Sequence, residues 1–382
     1  MRRLLFLIAD TGGGHRAAAT AVERQMADTA PGEFEITVLD PFAAAPLRII
    51  GGTAGLYGPI TRHARWLWAG LYHATNSRPA VTLLERTVLR SVTKAVDDAI
   101  QRLQPDCVVS FHPLLNHISV RAVQGRPRRI PVITVITDLV DIHASWACPD
   151  VDAVVVPSPG GFERCRRAGI PASRCHDIGL AVDRRFTDLP SDPAGIAALR
   201  RQLGLRPESF VVLVCGGADG SGGLVRNAQA IAATTIDLDL VVICGRNERA
   251  RSTLAGLRTA AGRDVRVLGY VTDMPLWMRA SDVVVSKAGP GTIAEALCCG
   301  LPLLLVWYLP GQERGNVEWV VDIGAGRFVP HVEQLIDAVA ELAVPGSATL
   351  AAMRDAVRAV ARPDATRRIA ELIASIAAGA PA

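Results

Sequence analysis

The sequence predicts a two-domain α/β protein in which each domain is built around a parallel sheet. Two observations support this prediction. First, short apolar segments of strand length alternate with helical segments, and these strands are apolar at nearly every position, as is typical of parallel strands covered on both faces. Second, the 382 residues are enough for two hydrophobic cores. The simplest architecture is two consecutive α/β domains joined by a linker near residues 182–195.

The first half begins with a predicted β-α-β unit, in which a helix over about residues 15–27 separates the strands LLFLIA and FEITVLD. Further buried strands are predicted in DCVVSF, PVITVIT and DAVVVP. After the linker and a helix over 194–203, a second series follows, comprising FVVLVCGG, LDLVVICG, VRVLGY, DVVVSKAG and LPLLLVW. Each of these strands ends in glycine, in a polar residue or near a proline turn, which places loops at the carboxyl ends of the sheet.

Composition and targeting signals indicate a cytoplasmic protein. The chain is 49% hydrophobic and 20% charged, as in ordinary globular proteins. The apolar stretch LLFLIA is shorter than the hydrophobic region of a signal peptide, and Asp10 ends it. None of the eight cysteines forms a CxxC pair, and Cys107, Cys215 and Cys244 lie in apolar strands. This pattern predicts buried free thiols in a reducing compartment.

One basic, aromatic segment is a candidate membrane-facing surface. Residues 43–84 contain four arginines and no acidic residue, in a chain whose net charge is +4. Arginine interleaved with tryptophan and tyrosine suits an anionic membrane interface. The alternative is an ordinary helix with a solvated basic face and aromatic side chains in the core. The candidate membrane contacts in this segment are Arg62, Arg65, Trp66 and Trp68.

The strand end at SKAGPGTIAEAL carries the strongest functional signal. Ligands of parallel α/β sheets bind beyond the carboxyl ends of the strands. Here Lys287 is followed by a tight turn of Gly289, Pro290 and Gly291, and then by a helix. Free main-chain amides at a helix start favour a phosphate, and Lys287 adds a compact positive charge. Thr292 is predicted to cap the helix, with Glu295 completing a capping box on the first turn. The alternative is a plain capped turn.

Two other loops of the second half are candidates for the same site. The run GGADGSGG, which includes Gly217 and Asp219, is a second amide-rich strand end and suggests a diphosphate held between two loops. After the next strand, Gln312, Glu313 and Asn316 carry hydrogen-bond donors and acceptors of the kind that bind sugar hydroxyls. A polar surface loop is the alternative for this last segment.

The first strand ends in the unusual sequence DTGGGHR. Gly13 and Gly14 permit a close approach of an acceptor or of donor phosphates to the main chain. His15 follows at once and, when neutral, can accept a proton from a hydroxyl group. Without context, a histidine in the first turn of a helix is more often a capping or surface residue. Asp138, at the end of PVITVIT, is a candidate for orienting a base or an acceptor.

The sequence resembles the monogalactosyldiacylglycerol synthases over nearly its whole length. The specific motifs are KAGPGTIAEAL and PGQERGN, within a longer matching stretch from LGYVTDM to IGAGRF. In the first half, ADTGGGHRAAATA, SFHPLLNH, TVITDLVDIHASW and PSPGGFERCRRAGIPASRCHDIGLAV match in the same order. The resemblance implies a GT-B glycosyltransferase, in which two Rossmann-like domains face each other across a cleft.

The resemblance also implies an activity and an organisation. The enzyme would be an inverting transferase that moves a hexosyl group from a UDP-sugar to a lipid acceptor, with diacylglycerol as the default. We expect an acceptor and membrane-facing domain over 1–187, a donor domain over 188–362 and a C-terminal helix over 363–382 that packs back on the first domain. No metal or other cofactor and no nucleic acid is expected. The enzyme would bind peripherally to the inner face of the cell membrane.

Several residues match positions of known function in that family. His15 matches the catalytic base, and the main chain at Val271 falls where uracil would bind. The positions for the donor phosphates and ribose are Gly217, Asp219, Lys287, Gly289, Pro290, Gly291, Thr292 and Glu295. Those for the donor sugar are Gln312, Glu313 and Asn316. The sequence departs from the plant-type pattern at DIHASW and at Trp307, which leaves the identities of sugar and acceptor open.

Three other functions are compatible with parts of the pattern. An NAD-dependent oxidoreductase would use Asp40 after the second strand, but GGGH lacks the GxGxxG spacing. A sugar-nucleotide epimerase of the same architecture would need no lipid. A non-catalytic nucleotide-sugar sensor would keep its function without His15. A prenyl-linked or other lipid is an alternative acceptor for the transferase.

Overall fold

A computed structural model describes residues 1–10, 13–43, 70, 72–87, 89–217 and 222–379. The chain divides into two compact units. Unit 1 comprises Met1–Arg184, Pro310–Gln312 and Arg362–Ala382, and unit 2 comprises Arg185–Leu309 and Glu313–Ala361. The assignment of acceptor and donor roles to domains bounded at residue 187 stays a prediction.

Unit 1 contains a six-stranded parallel sheet with the strand order β2-β1-β3-β4-β5-β6. Because β1 is flanked by β2 on one side and β3 on the other, the strand order reverses between β1 and β3, which is the position where such sheets bind ligands. The strands are β1 (Arg2–Leu7), β2 (Phe34–Leu39), β3 (Cys107–Ser110), β4 (Val132–Val135), β5 (Ala153–Val156) and β6 (Cys175–Asp177).

Helices cover both faces of this sheet and form two hydrophobic cores with it. On one face, the last helix of the chain packs against the first and buries Ile369, Ile373 and Ile376. Thr366 ties this helix to the chain near residue 182, because its hydroxyl accepts from the main-chain N–H of Val182 at 2.8 Å and donates to its carbonyl at 2.6 Å. The helices are α1 (Gly14–Thr29), α2 (Arg78–Thr87), α3 (Arg90–Leu103), α4 (Asn116–Val123), α5 (Pro159–Arg167) and, at the end of the chain, α14 (Ala365–Ala377).

Unit 2 contains a second six-stranded parallel sheet, ordered β12-β11-β10-β7-β8-β9. This is the doubly wound Rossmann order, and its reversal lies between β7 and β10. The strands are β7 (Phe210–Cys215), β8 (Leu238–Ile243), β9 (Arg266–Leu268), β10 (Val283–Lys287), β11 (Leu303–Trp307) and β12 (Gly326–Phe328).

The helices of unit 2 are joined to this sheet by a buried ion network at its amino end. Asp282 accepts hydrogen bonds from Arg200 and Arg354, at 2.7 and 2.6 Å, and from the main-chain N–H of Val211 at 2.8 Å. The helices are α6 (Pro193–Gln202), α7 (Leu224–Ala232), α8 (Glu248–Leu254), α9 (Met274–Ala280), α10 (Pro290–Cys298), α11 (Arg314–Asp322), α12 (Val332–Leu342) and α13 (Ala348–Val360). Four 3₁₀ turns complete the description: Pro113–Leu115, Ala144–Trp146, Ala172–Arg174 and Arg184–Phe186.

The structure confirms the two parallel α/β folds and every predicted strand, with ends shifted by two residues or fewer. It adds β6 and β12, two three-residue edge strands that the sequence pattern did not predict. All eight cysteines are free thiols and seven are buried, as predicted for Cys107, Cys215 and Cys244. Within the described ranges, every helix is too short or too polar to span a bilayer.

Candidate active site

The carboxyl ends of β1, β3 and β4 meet at one edge of the unit 1 sheet. Gly13 precedes α1 in the left-handed conformation, with φ +82°, which glycine adopts without strain. A Cβ built on Gly13 or Gly14 meets no atom of the described residues within 4 Å. His15 is then the second residue of α1, immediately beyond the end of β1. Thr11 and Gly12 lie outside the described residues.

His15 is held by residues that follow the two neighbouring strands. Its Nδ1 lies 2.8 Å from the hydroxyl of Thr137, two residues beyond β4. The main-chain carbonyl of Phe111, next to the end of β3, also forms a hydrogen bond with the ring. Burial lowers the pKa of His15 to about 4, and the Phe111 carbonyl offsets this only in part. His15 is therefore neutral at pH 7 and can accept a proton.

Aromatic rings surround this imidazole. The ring of His112 packs edge-on against it, with 4.8 Å between ring centroids, and Trp146 lies at 6.3 Å. The ring of Phe42 in turn packs edge-on against His112, with 5.1 Å between ring centroids. Burial, together with the charge that His15 would carry, places the pKa of His112 well below the usual range. Neither Thr137 nor His112 is among the predicted site residues, although Thr137 ends one predicted strand and His112 directly follows another.

Asp138 has a different neighbourhood from the adjacent Thr137. Its buried carboxylate accepts a hydrogen bond from the indole N–H of Trp146 at 2.7 Å and another from the amide of Gln312 at 3.0 Å. Gln312, a predicted sugar-binding residue, thus belongs to unit 1 together with Pro310 and Gly311. Its Oε1 is buried and has no hydrogen-bond partner within the described part of the chain.

In unit 2, Lys287 lies at the end of β10, near both the glycine-rich loop that follows β7 and the turn at Gly289. A Cβ built on Gly217 would lie 3.8 Å from its Cε, and one on Gly222 would lie 3.7 Å from its Cβ. Gly217 and Gly222 both have positive φ, +68° and +82°, so glycine suits both positions. This glycine-rich loop follows β7 at the strand-order reversal, and its role as a diphosphate cradle stays a prediction. Asp219, in the middle of that loop, lies outside the described residues.

The charge of Lys287 is balanced by Glu313. The two side chains form an ion pair, and Glu313 is 4% exposed. The other carboxylate oxygen of Glu313 accepts the main-chain N–H of Leu309 at 2.9 Å. Asn316 is also buried and donates to the carbonyl of Ala288 at 2.9 Å, while its Oδ1 has no partner among the described residues. Lys287, Glu313 and Asn316 thus surround the turn that begins at Ala288.

The predicted cap at Thr292 is wrong. Helix α10 begins at Pro290, Gly289 is its N-cap, and there is no side-chain cap. Proline suits this first position because its ring fixes φ near the helical value and the missing N–H would be unpaired there. Glu295 therefore lies on the second turn, half-buried near Cys215. The amides of Gly291 and Thr292 remain at the helix start, as a phosphate site requires.

The remaining predicted positions are less constrained. Val271 follows β9 at the carboxyl edge of the unit 2 sheet and is half-buried. Arg62, Arg65, Trp66 and Trp68 lie outside the described residues. No group of three or more His, Cys, Asp or Glu side chains that could hold a metal ion is found in the ranges described.

These features define the class of protein. The chain has two Rossmann-like units. One carries an imidazole at its strand-order reversal, and the other carries a lysine and glycine-rich turns at its strand-order reversal. These are the parts of a GT-B glycosyltransferase. Solved structures share the fold: MurG of Acinetobacter baumannii has a TM-score of 0.63 at 18% identity, covering 98% of this chain and all of that one. UDP-GlcNAc 2-epimerase of Neisseria meningitidis, solved with UDP-GlcNAc, has a TM-score of 0.59 at 14% identity, with the same coverage.

Sequence comparison then identifies the family. Residues 15–182 match the model of monogalactosyldiacylglycerol (MGDG) synthase, and residues 211–369 match the glycosyltransferase family 28 C-terminal domain. The probable monogalactosyldiacylglycerol synthase 3 of Oryza sativa subsp. japonica is 34% identical over 95% of this chain and 72% of its own length. The chain belongs to the monogalactosyldiacylglycerol synthase family and is a UDP-sugar-dependent glycosyltransferase. The oxidoreductase, epimerase and sensor alternatives are not favoured.

Proposed function

We propose that this protein transfers a galactosyl group from UDP-galactose to the free hydroxyl of diacylglycerol, releasing UDP and inverting the anomeric configuration. The family membership supports the lipid acceptor, and the name of the rice relative supports galactose as the sugar. The single observation that carries the chemistry is His15, a neutral imidazole at the strand-order reversal of unit 1.

His15 acts as the general base in this proposal. As the hydroxyl oxygen of diacylglycerol attacks the anomeric carbon, its proton passes to the imidazole and the bond to the UDP oxygen breaks. A single displacement of this kind inverts the anomeric centre. Asp138 acts indirectly, because its carboxylate holds Trp146 and Gln312 in place.

Unit 2 binds the donor and stabilises the leaving group. Lys287 and the amides at the start of α10 face the diphosphate, and the loop from Gly217 through Asp219 supplies the second set of amides. Glu295 accepts hydrogen bonds from ribose hydroxyls, and the main chain at Val271 binds uracil. The donor sugar is bound by Gln312, Glu313 and Asn316. No step needs a metal ion, so chelation is expected to leave the rate unchanged.

The decisive experiment incubates the purified protein with UDP-[¹⁴C]galactose and liposomes containing diacylglycerol, and measures both UDP and chloroform-soluble label. We expect the wild type to release UDP and chloroform-soluble label in equal amounts. His15→Ala should form neither product, and Glu295→Ala should give a strongly reduced yield of both. His331→Ala is the matched control, because His331 is an exposed histidine of unit 2. Full activity of His15→Ala would contradict the assignment of the base, and parallel assays with UDP-glucose and UDP-GlcNAc test the sugar.

Peripheral binding to an anionic membrane is the second part of the proposal. The acid-free segment over residues 43–84, with Arg62, Arg65, Trp66 and Trp68, provides the cations and aromatic rings that suit such a surface. Adding anionic lipid to neutral liposomes is expected to raise the rate, and Arg62→Gln/Arg65→Gln to weaken this response. An equal response in that variant would exclude these two arginines as the membrane contact.

A further inference from the structure

A histidine can act as a base only through a ring nitrogen that carries no proton. Neutral imidazole has one protonated and one bare nitrogen, and the hydrogen bond made by one of them determines which is which. For His15, the tautomer decides which ring nitrogen can accept a proton in the protein before substrate binds. Among the described residues, two groups bond to this ring: the main-chain carbonyl of Phe111, which can only accept, and one side-chain hydroxyl, which contacts a defined nitrogen.

That hydroxyl belongs to Thr137. Its Oγ1 lies 2.8 Å from Nδ1 of His15, and the residue is 7% exposed. Thr137 is two residues beyond β4, a central strand, so the sheet fixes its main chain. A threonine side chain has a single stiff torsion, which makes it a well-defined anchor at the end of a strand.

We propose that Thr137 is a positioning residue that accepts a hydrogen bond from Nδ1–H of His15 and so keeps Nε2 bare as the base. This inference rests on the proposed function, in which His15 takes the proton of the acceptor hydroxyl. The residue that orients the imidazole is therefore a neutral alcohol, whereas the sequence suggested the neighbouring Asp138.

The surroundings explain why a neutral partner suits this position. Asp138 is the nearest carboxylate in sequence, and its two oxygens are engaged by Trp146 and Gln312. Among the described residues, the buried ring of the titratable His112 packs edge-on against His15. At the start of α1, the carboxylate of Asp10 is paired with Arg16 at 2.6 Å. A hydroxyl orients the ring without adding the charge that would keep it protonated, consistent with the lowered pKa of His15.

The test compares Thr137→Val, which keeps the shape and removes the hydroxyl, with Thr137→Ser, which keeps the hydroxyl. The matched control is Thr134→Val, three residues earlier on β4, because the Thr134 hydroxyl is also buried but donates to Asn116 at 3.0 Å. We expect Thr137→Val to lower kcat by about 10- to 100-fold with an unchanged KM for the UDP-sugar. Thr137→Ser should recover most of the rate.

A second readout is independent of turnover. In protein labelled with ¹⁵N-histidine, the ring signals of His15, assigned with His15→Asn, report which nitrogen carries the proton. We expect the Nδ1–H form in the wild type and in Thr134→Val, and a mixture of both forms in Thr137→Val. The Nε2–H form in the wild type would overturn the inference.

The outcomes separate this inference from the proposed function. Loss of activity in His15→Ala, with wild-type kcat and tautomer in Thr137→Val, would refute the role of Thr137 and keep that of His15. Wild-type activity in His15→Ala would refute the proposed base itself. An equal loss of kcat in Thr137→Val and Thr134→Val would show a general effect of strand β4 and also count against the inference.

Discussion

The ion pair between Lys287 and Glu313 allows stability and donor binding to be separated. Lys287→Met removes the positive charge while keeping the length of the side chain, and it leaves Glu313 as a carboxylate that is 4% exposed. Removing one partner of a buried pair costs about 3–5 kcal/mol. Because a quarter of the Lys287 side chain is exposed (25%) and Glu313 keeps its hydrogen bond from Leu309, we expect a smaller loss, about 2–3 kcal/mol.

The double variant Lys287→Met/Glu313→Gln should recover most of this loss. Glutamine keeps an oxygen for the N–H of Leu309 and removes the uncompensated charge. Donor binding should not recover, because the diphosphate still lacks its cation. We expect UDP to bind about 10- to 100-fold more weakly to both variants than to the wild type.

Thermal unfolding and isothermal calorimetry with UDP measure the two effects on the same samples. For a domain of this size, 1 kcal/mol shifts Tm by about 2–4 °C, so the predicted loss is readily detected. A double variant no more stable than Lys287→Met would show that the pair is not coupled. Wild-type UDP affinity in Lys287→Met would refute the assignment of Lys287 to the phosphates.

Three further predictions concern the two units. Burial lowers the pKa of four histidines, so between about pH 6.5 and pH 4 only the unfolded chain binds protons at these side chains. The free energy of unfolding should therefore fall in this range as the pH drops, by up to about 1.4 kcal/mol per pH unit for each histidine. Urea titrations at pH 7 and 5 test this, and a flat profile would contradict it. These histidines are His15, His112, His143 and His176. Gly291→Ala should leave Tm unchanged, since its Cβ would meet no atom within 4 Å, yet weaken UDP binding about tenfold by crowding the phosphate; unchanged affinity would exclude a close approach there. Thr366→Val should lower the free energy of unfolding by about 1–3 kcal/mol, because both main-chain groups of Val182 lose their partner. Thr366→Ser should restore this stability, as measured by thermal unfolding.

The sequence was most informative where structure depends on local pattern. Continuous apolar segments predict buried parallel strands because both faces of such a strand are covered, and all ten predicted strands are present. The strands β6 and β12 were missed because their three residues, Cys-His-Asp and Gly-Arg-Phe, include a single hydrophobic side chain each and so give no apolar segment. The capping-box pattern predicted the start of α10 at Thr292, whereas the helix begins at Pro290. Proline is itself a helix-start signal.

The two halves of the candidate site differ in how much the sequence could show. On the donor side, Lys287 and the glycines that follow it are contiguous, so their arrangement was largely visible as a motif. On the other side, His15, Phe111 and Thr137 follow three neighbouring strands of one sheet, although 122 positions of sequence separate His15 from Thr137. Their contact depends on the strand order β1-β3-β4, which no local pattern encodes.

The sequence by itself determined that the chain forms two parallel α/β folds, that it resembles one glycosyltransferase family, and that His15 and Lys287 are the central candidates. Only the tertiary structure decided that Thr137 contacts His15, that Glu313 balances Lys287, and that Gln312 packs with unit 1. The physical reason is that hydrophobic periodicity and turn chemistry are local properties. Hydrogen bonds and ion pairs between distant side chains form only after the sheets have brought the strand ends together.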